Sequence, residues 1–142
     1  MTSSEAYLLA PVLGFVVAQG LKFMVPAQRK KYGWRLWTAS GSMPSSHSAV
    51  VISLVAVILF NEGISDLFAV AVTLAMVTVY DALMARRSIG EQGTALLRLI
   101  EKSPFAKDPL PRVALGHKPL EVAAGAILGV IVGFAVAFFI TK

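Results

Sequence analysis

Apolar residues fall into four long runs along the chain, at about 6 to 25, 47 to 60, 64 to 84 and 119 to 140, with polar stretches between them. The first, "AYLLAPVLGFVVAQGLKFMV", holds a single charge, Lys22, in 20 residues, which suits a helix crossing roughly 30 Å of hydrocarbon. It reads as a retained span and not as a cleaved signal, because no basic residue precedes its apolar part and no small-residue cleavage site follows. The second run is short for a span. That predicts a tilted helix, one that starts within a protein-lined cavity, or one completed by the preceding "GSMPSS". The third run passes into "RRSIGEQGTALLRLIEK", where Ala95, Leu96, Leu99 and Ile100 alternate with polar residues at helical spacing. An amphipathic helix at the membrane surface is expected there. "SPFAKDPLPR" has three prolines in ten residues and predicts a loop.

In the fourth run Gly125, Gly129 and Gly133 recur every four residues and share one helix face. Such a face permits close helix contact, within the chain or in a homodimer.

Composition agrees with this pattern. Of 142 residues 56% are hydrophobic and 15% charged, outside the usual range of a soluble globule. The predicted fold is all-α: one integral membrane domain over 1–142, a polytopic bundle of about four transmembrane helices plus a short amphipathic interfacial helix. The chain has no cysteine, so disulfides, thiolate metal sites and cysteine nucleophiles are excluded. Its net charge of +5 fits anionic lipid or phosphate as partner, and a membrane chain argues against nucleic acid.

Basic residues gather in two places: Arg29, Lys30, Lys31 and Arg35 after the first run, and Arg86, Arg87, Arg98, Lys102, Lys107, Arg112 and Lys118 after the third. The turn between the second and third runs carries Glu62 and Asp66 instead. The positive-inside rule puts both basic loops on the cytoplasmic side, in the plasma (inner) membrane, with both termini opposite.

That topology brings the two histidines, His47 and His117, to the same side although they lie 70 residues apart. Each opens an apolar helix, in "PSSHSAVV" and "LGHKPLEVAAG". A helix start offers unpaired N–H groups and a partial positive charge, a natural seat for phosphate. Two such ends ringed by Lys and Arg describe an anion pocket.

The segments "GSMPSSHSA", "YDALMARR" and "LGHKPLEVAAG", in this order, resemble the divergent branch of the type 2 phosphatidic acid phosphatases, a superfamily that includes the vanadium-dependent haloperoxidases. The superfamily pattern has a Lys, six residues, then Arg-Pro; a Pro-Ser-Gly-His; and a Ser-Arg, five residues, His, three residues, Asp. Lys22 and Arg29 keep the first spacing, with Lys30 in place of Pro. Pro44, Ser45, Ser46 and His47 match the second with Ser for Gly, and His117 with Glu121 match the end of the third with Glu for Asp. No Ser-Arg stands at the required distance before His117, and Arg112 is one residue too close. Arg86 or Arg87 is the candidate replacement.

The resemblance implies a membrane phosphatase acting on a lipid phosphate monoester or a prenyl diphosphate. It makes His117 the nucleophile, Glu121 the carboxylate that orients it, and His47 the acid and base. Lys22, Arg29, Ser45, Ser46 and Arg86 or Arg87 would hold the phosphoryl oxygens, with no metal and no other cofactor, since the cations neutralise them. Asp81, an intramembrane carboxylate, calls for a partner such as Arg86 or Lys22 and could orient an arginine of the pocket.

Each residue also has a structural reading. Ser45 and Ser46 suit helix caps. Pro119 and Glu121 suit the first and third positions of a helix, Lys22 could snorkel to the interface, and Arg29, Lys30 and Lys31 could hold lipid headgroups. The alternative function is therefore a non-catalytic protein that binds anionic lipid or phosphate in a degenerate phosphatase pocket.

Overall fold

The computed structural model describes residues 2–26, 30, 33, 43–103, 113, 116 and 118–140. They form five helices: α1 (Ser3–Met24), α2 (Ser46–Glu62), α3 (Asp66–Tyr80), α4 (Arg86–Ile100) and α5 (Pro119–Ile140). Among the described residues there is no strand. Three helical stretches are long and apolar enough to cross a membrane, namely Ser3–Met24, Asp66–Ile100 and Pro119–Ile140, and α2 is a shorter apolar helix. Their outer faces leave Leu8, Val70, Met76, Ile127, Ile131 and Phe139 exposed, which only a hydrocarbon solvent favours over such a length. The all-α membrane bundle read from the sequence is the fold observed.

α1 begins earlier than its apolar run, because Thr2 and Glu5 form a capping box. Thr2 N donates to Glu5 Oε2 at 2.8 Å and Glu5 N donates to Thr2 Oγ1 at 3.4 Å. α2 starts at Ser46 with Ser45 as its cap, so of the described part of "GSMPSS" only Ser46 joins the helix and Ser45 caps it. The helix ends at Gly63, whose φ of 69° falls in the left-handed region that favours glycine. Ser65 then caps α3 by accepting from Phe68 N at 3.2 Å.

The expected amphipathic helix is α4, and it continues α3 without a loop. α3 runs into α4 through a π-helical turn, Asp81–Ala85, and the continuous helix spans 35 residues. At 1.5 Å per residue that is about 52 Å, well beyond the hydrocarbon thickness, so its last turns leave the membrane.

α2 is the central element and packs against α1, α3 and α5. Small residues permit this. A Cβ on Gly14 would lie 2.9 Å from the Ala49 carbonyl oxygen, one on Gly129 would lie 2.8 Å from the same oxygen, and one on Gly133 would lie 2.5 Å from the Ser53 oxygen. The glycine face of α5 is thus filled by α2 of the same chain, and a homodimer through it would require that packing to open. Ala6, Ala10, Val57, Ile58, Ala71, Val136 and Ala137 form the core toward the other end, where Tyr7 Oη donates to Glu62 Oε1 at 2.8 Å.

Candidate functional site

The end of α1 and the starts of α2 and α5 meet at one end of the bundle. Ser45 caps α2: its Oγ accepts from Ser48 N at 3.4 Å and from Ser48 Oγ at 3.1 Å. Its own N–H donates to the Glu121 carbonyl at 2.9 Å, which ties the start of α2 to the first turn of α5. Gly125 lies one turn further along α5, where a Cβ would collide with the Ser45 carbonyl oxygen. Sequence reasoning assigned this glycine to packing but did not show that it sets the spacing of the site.

Lys22 occupies the space between these helix starts. It is 2% exposed, the largest fully buried side chain described, and its Nζ donates to Ser46 Oγ at 3.4 Å. It does not snorkel to water. Among the described residues, the Glu121 carboxylate is the charge that acts on it. An ammonium this deep calls for anionic company, and it lies beside the N-terminal end of α2, a second source of positive potential. Among the described residues, the buried lysine and the α2 helix start thus lie near the carboxylate of Glu121.

Glu121 also fulfils the structural role expected at its position. Its Oε2 accepts from Lys118 N at 3.1 Å and closes the first turn of α5. The same carboxylate can cap the helix and hold charge near Lys22.

His47 is exposed and lines a cavity of about 120 Å³ together with Phe15, Ser46, Val50, Val51 and Thr78. Phe15 comes from α1 and Thr78 from α3, so the cavity lies between three helices with Ser46 and His47 as its polar margin. Nothing local to the second run marked Phe15 or Thr78, and only the packing of α1 and α3 against α2 brings them there.

Arg86 is half-buried and Arg87 exposed. Arg87 Nε pairs with Glu91 Oε1 at 3.0 Å. Gly116 lies against this pair: a Cβ there would be 2.5 Å from Arg87 N and 2.9 Å from the Arg86 carbonyl carbon. Asp81 departs from expectation, since it is exposed and among the described residues it pairs with neither Arg86 nor Lys22. It lies at the start of the π turn. Arg29 and His117 lie outside the described residues, as do Lys31, Arg35, Lys107 and Arg112.

A polytopic helical membrane protein with a buried cation at paired helix starts is the class that fold and site define. Residues 3–132 match the Divergent PAP2 family, and the chain belongs to that family. It is therefore a phosphatase-related membrane protein. It is 37% identical to the "Uncharacterized membrane protein YuiD" of Bacillus subtilis (strain 168), over 93% of this chain and 94% of the relative. No solved structure matches it.

Proposed function

We propose that the protein is a lipid phosphate phosphatase working through a phosphohistidine at His117. The observation that carries this reading is Lys22, fully buried, hydrogen-bonded to Ser46 at the start of α2 and within the field of Glu121. A purely structural lysine at a span end would reach for water, whereas this one is held where an anion would bind.

In the proposed reaction the neutral imidazole of His117 attacks phosphorus, and the bond from phosphorus to the leaving oxygen breaks. His47 gives that oxygen a proton. Water then attacks the phosphohistidine, giving its proton to His47, and inorganic phosphate leaves with the His117 electron pair restored. Glu121 stabilises the imidazolium formed in the first step. Lys22, Arg29, one arginine of the pair Arg86 and Arg87, and the backbone and side chains of Ser45 and Ser46 spread the charge of the phosphoryl oxygens. The apolar cavity beside His47 favours a substrate whose leaving group carries a hydrocarbon chain, either a lipid phosphate monoester or a prenyl diphosphate. The site faces the cytoplasm of a plasma membrane in this reading, as the basic loops indicate.

The test is phosphate release by the purified protein from phosphatidic acid, phosphatidylglycerophosphate and prenyl diphosphates, beside His117→Ala and His47→Ala. Release abolished in both variants, with vanadate inhibiting the wild type, is the expected result. Wild-type release no greater than that of folded variants would replace catalysis with plain binding of anionic lipid.

A further inference from the structure

We infer that the cavity between α1, α2 and α3 is a chain-selecting slot, which seats the first isoprene unit of a single-chain prenyl diphosphate and excludes the glycerol backbone of a diacyl lipid phosphate. The inference narrows the substrate of the phosphatase reading above and rests on that reading for turnover. The slot itself is built of side chains from α1, α2 and α3.

Ser46 joins the head of such a ligand to its chain. Its hydroxyl accepts from the buried Lys22 Nζ at 3.4 Å, and the same residue lines the cavity beside His47. Polarity falls from there with depth. On α1, Lys22, Gln19 and Phe15 share one face at i, i−3 and i−7. They step from a buried cation through a buried amide to an aromatic ring about 10 Å further into the span. On α2, Ser46 and His47 give way one turn later to Val50 and Val51. This is the polarity order of a phosphorylated lipid lying in its own leaflet, with its head at the helix starts and its hydrocarbon below.

Phe15 is 42% exposed in mid-span and Val50 is half-buried, so the cavity opens toward the hydrocarbon and the rest of a chain can continue into the bilayer between α1 and α3. Deeper in the bundle that gap closes, where Ala6 and Ala10 of α1 share one core with Ala71 of α3. Size and lining decide which chain fits. An apolar cavity of about 150 Å³ takes one benzene ring, so this one, at about 120 Å³, takes about five carbons. In a prenyl diphosphate the carbons nearest the phosphate oxygen are one isoprene unit and wholly apolar. In a diacyl lipid phosphate they are glycerol carbons bearing two esters, whose oxygens lose water on entry and need hydrogen-bond partners in exchange. Phe15, Val50 and Val51 supply none. Thr78 donates its hydroxyl proton to the Leu74 carbonyl at 2.8 Å, and Ser46 is engaged by Lys22.

The full-length protein in phosphatidylcholine vesicles provides the test, with farnesyl diphosphate and dioleoyl phosphatidic acid as paired probes. The wild type should release phosphate from farnesyl diphosphate with the higher kcat/KM. Val50→Phe, which fills the slot, should lower that value roughly 10- to 200-fold and leave the value for phosphatidic acid largely unchanged. Ile127→Ala, on the exposed face of α5, should match the wild type. Equal use of both probes by the wild type, or an equal loss for both in Val50→Phe, overturns the slot and leaves the phosphatase reading intact. A second measurement needs no turnover. A farnesyl diphosphate analogue carrying a diazirine in its first isoprene unit should, on illumination, label Phe15, Val50, Val51 or Thr78, and farnesyl diphosphate but not phosphatidic acid should displace it. That pattern without phosphate release removes the phosphatase reading and keeps the slot. Labelling confined to Ile127 and Ile131 on the outer face, or displaced equally by phosphatidic acid, overturns the slot. If Val50→Phe does not fold, the labelling of the wild type decides alone.

Discussion

Replacing Gly125 with alanine puts a methyl group into the carbonyl oxygen of Ser45, a backbone atom that cannot rotate aside. Either α5 moves outward or the start of α2 does. Overpacking of this kind costs about 1–3 kcal/mol. The Ser45 N–H bond to the Glu121 carbonyl, 2.9 Å long, spans the same contact, and its loss adds about 1 kcal/mol. Alanine's better helix propensity returns about 1 kcal/mol, so the net loss is about 1–3 kcal/mol. Gly20 supplies the control, since a Cβ there meets nothing within 4 Å and Gly20→Ala should equal or slightly exceed the wild type. Gly129→Ala, at 2.8 Å from the Ala49 oxygen, should fall between them. Unfolding in mixed micelles, followed by circular dichroism at several protein concentrations, measures all three. A loss independent of concentration is expected for packing within one chain. Gly125→Ala as stable as Gly20→Ala would refute the reasoning, and a loss that grows on dilution would move the glycine face to a dimer.

Lys22→Met should abolish phosphate release yet leave stability unchanged or raised, because exchanging a buried charge for an apolar side chain of similar length removes a desolvation penalty; a thermal scan beside the activity assay checks both, and retained release would exclude Lys22 from the site. Orientation is open to single-cysteine labelling, since the chain contains no cysteine: Lys102→Cys on the exposed end of the long helix should react only from the cytoplasmic side, and Ile64→Cys, 89% exposed in the opposite turn, only from outside. The reverse pattern would invert the topology. Position 46 is unsuited to this purpose, because Ser46 is only 7% exposed and would report burial instead of side.

Apolar run length made the three long spans and the shorter apolar helix legible, since it is the property that the bilayer selects. What the runs missed lies in polar and local geometry. The start of α1 at Ser3 follows from Thr2 and Glu5, a capping pair readable as Thr-x-x-Glu but outside the apolar run. The continuity of α3 and α4 was not legible, because a π turn has no residue signature and "DALMA" would serve equally well in an α-helix. Asp81 misled for the same reason: placed by span arithmetic, it belongs inside the membrane beside a cation, but the turn exposes it. Lys22, Ser46 and Glu121 were legible as a set because each stands at a helix end, and helix ends on one side of a membrane must lie at similar depth. The cavity was not, since Phe15 and Thr78 carry no chemistry of their own.

The shortness of α2 takes on meaning in this arrangement. Its 17 residues span about 25 Å, less than the hydrocarbon thickness, while α1 and α5 on either side each have 22 residues. The start of α2 is buried, with Ser45 at 0% and Ser46 at 7% exposure, and Ser45 N–H meets the Glu121 carbonyl at 2.9 Å, so it sits in a protein-lined recess against the first turn of α5. Charge interactions are several times stronger in such a recess than at an exposed helix start, and the buried Lys22 shares that depth. Ser45 keeps a backbone N–H satisfied where water is scarce, and Ser46 Oγ accepts from Lys22 Nζ. The same recess adjoins the apolar cavity at His47, so an anionic group seated near Lys22 would have its hydrocarbon side toward Phe15, Val50 and Val51. A longer second span would have raised the helix start to the surface, where screening would weaken its pull on an anion and a hydrocarbon chain would find no slot beside it.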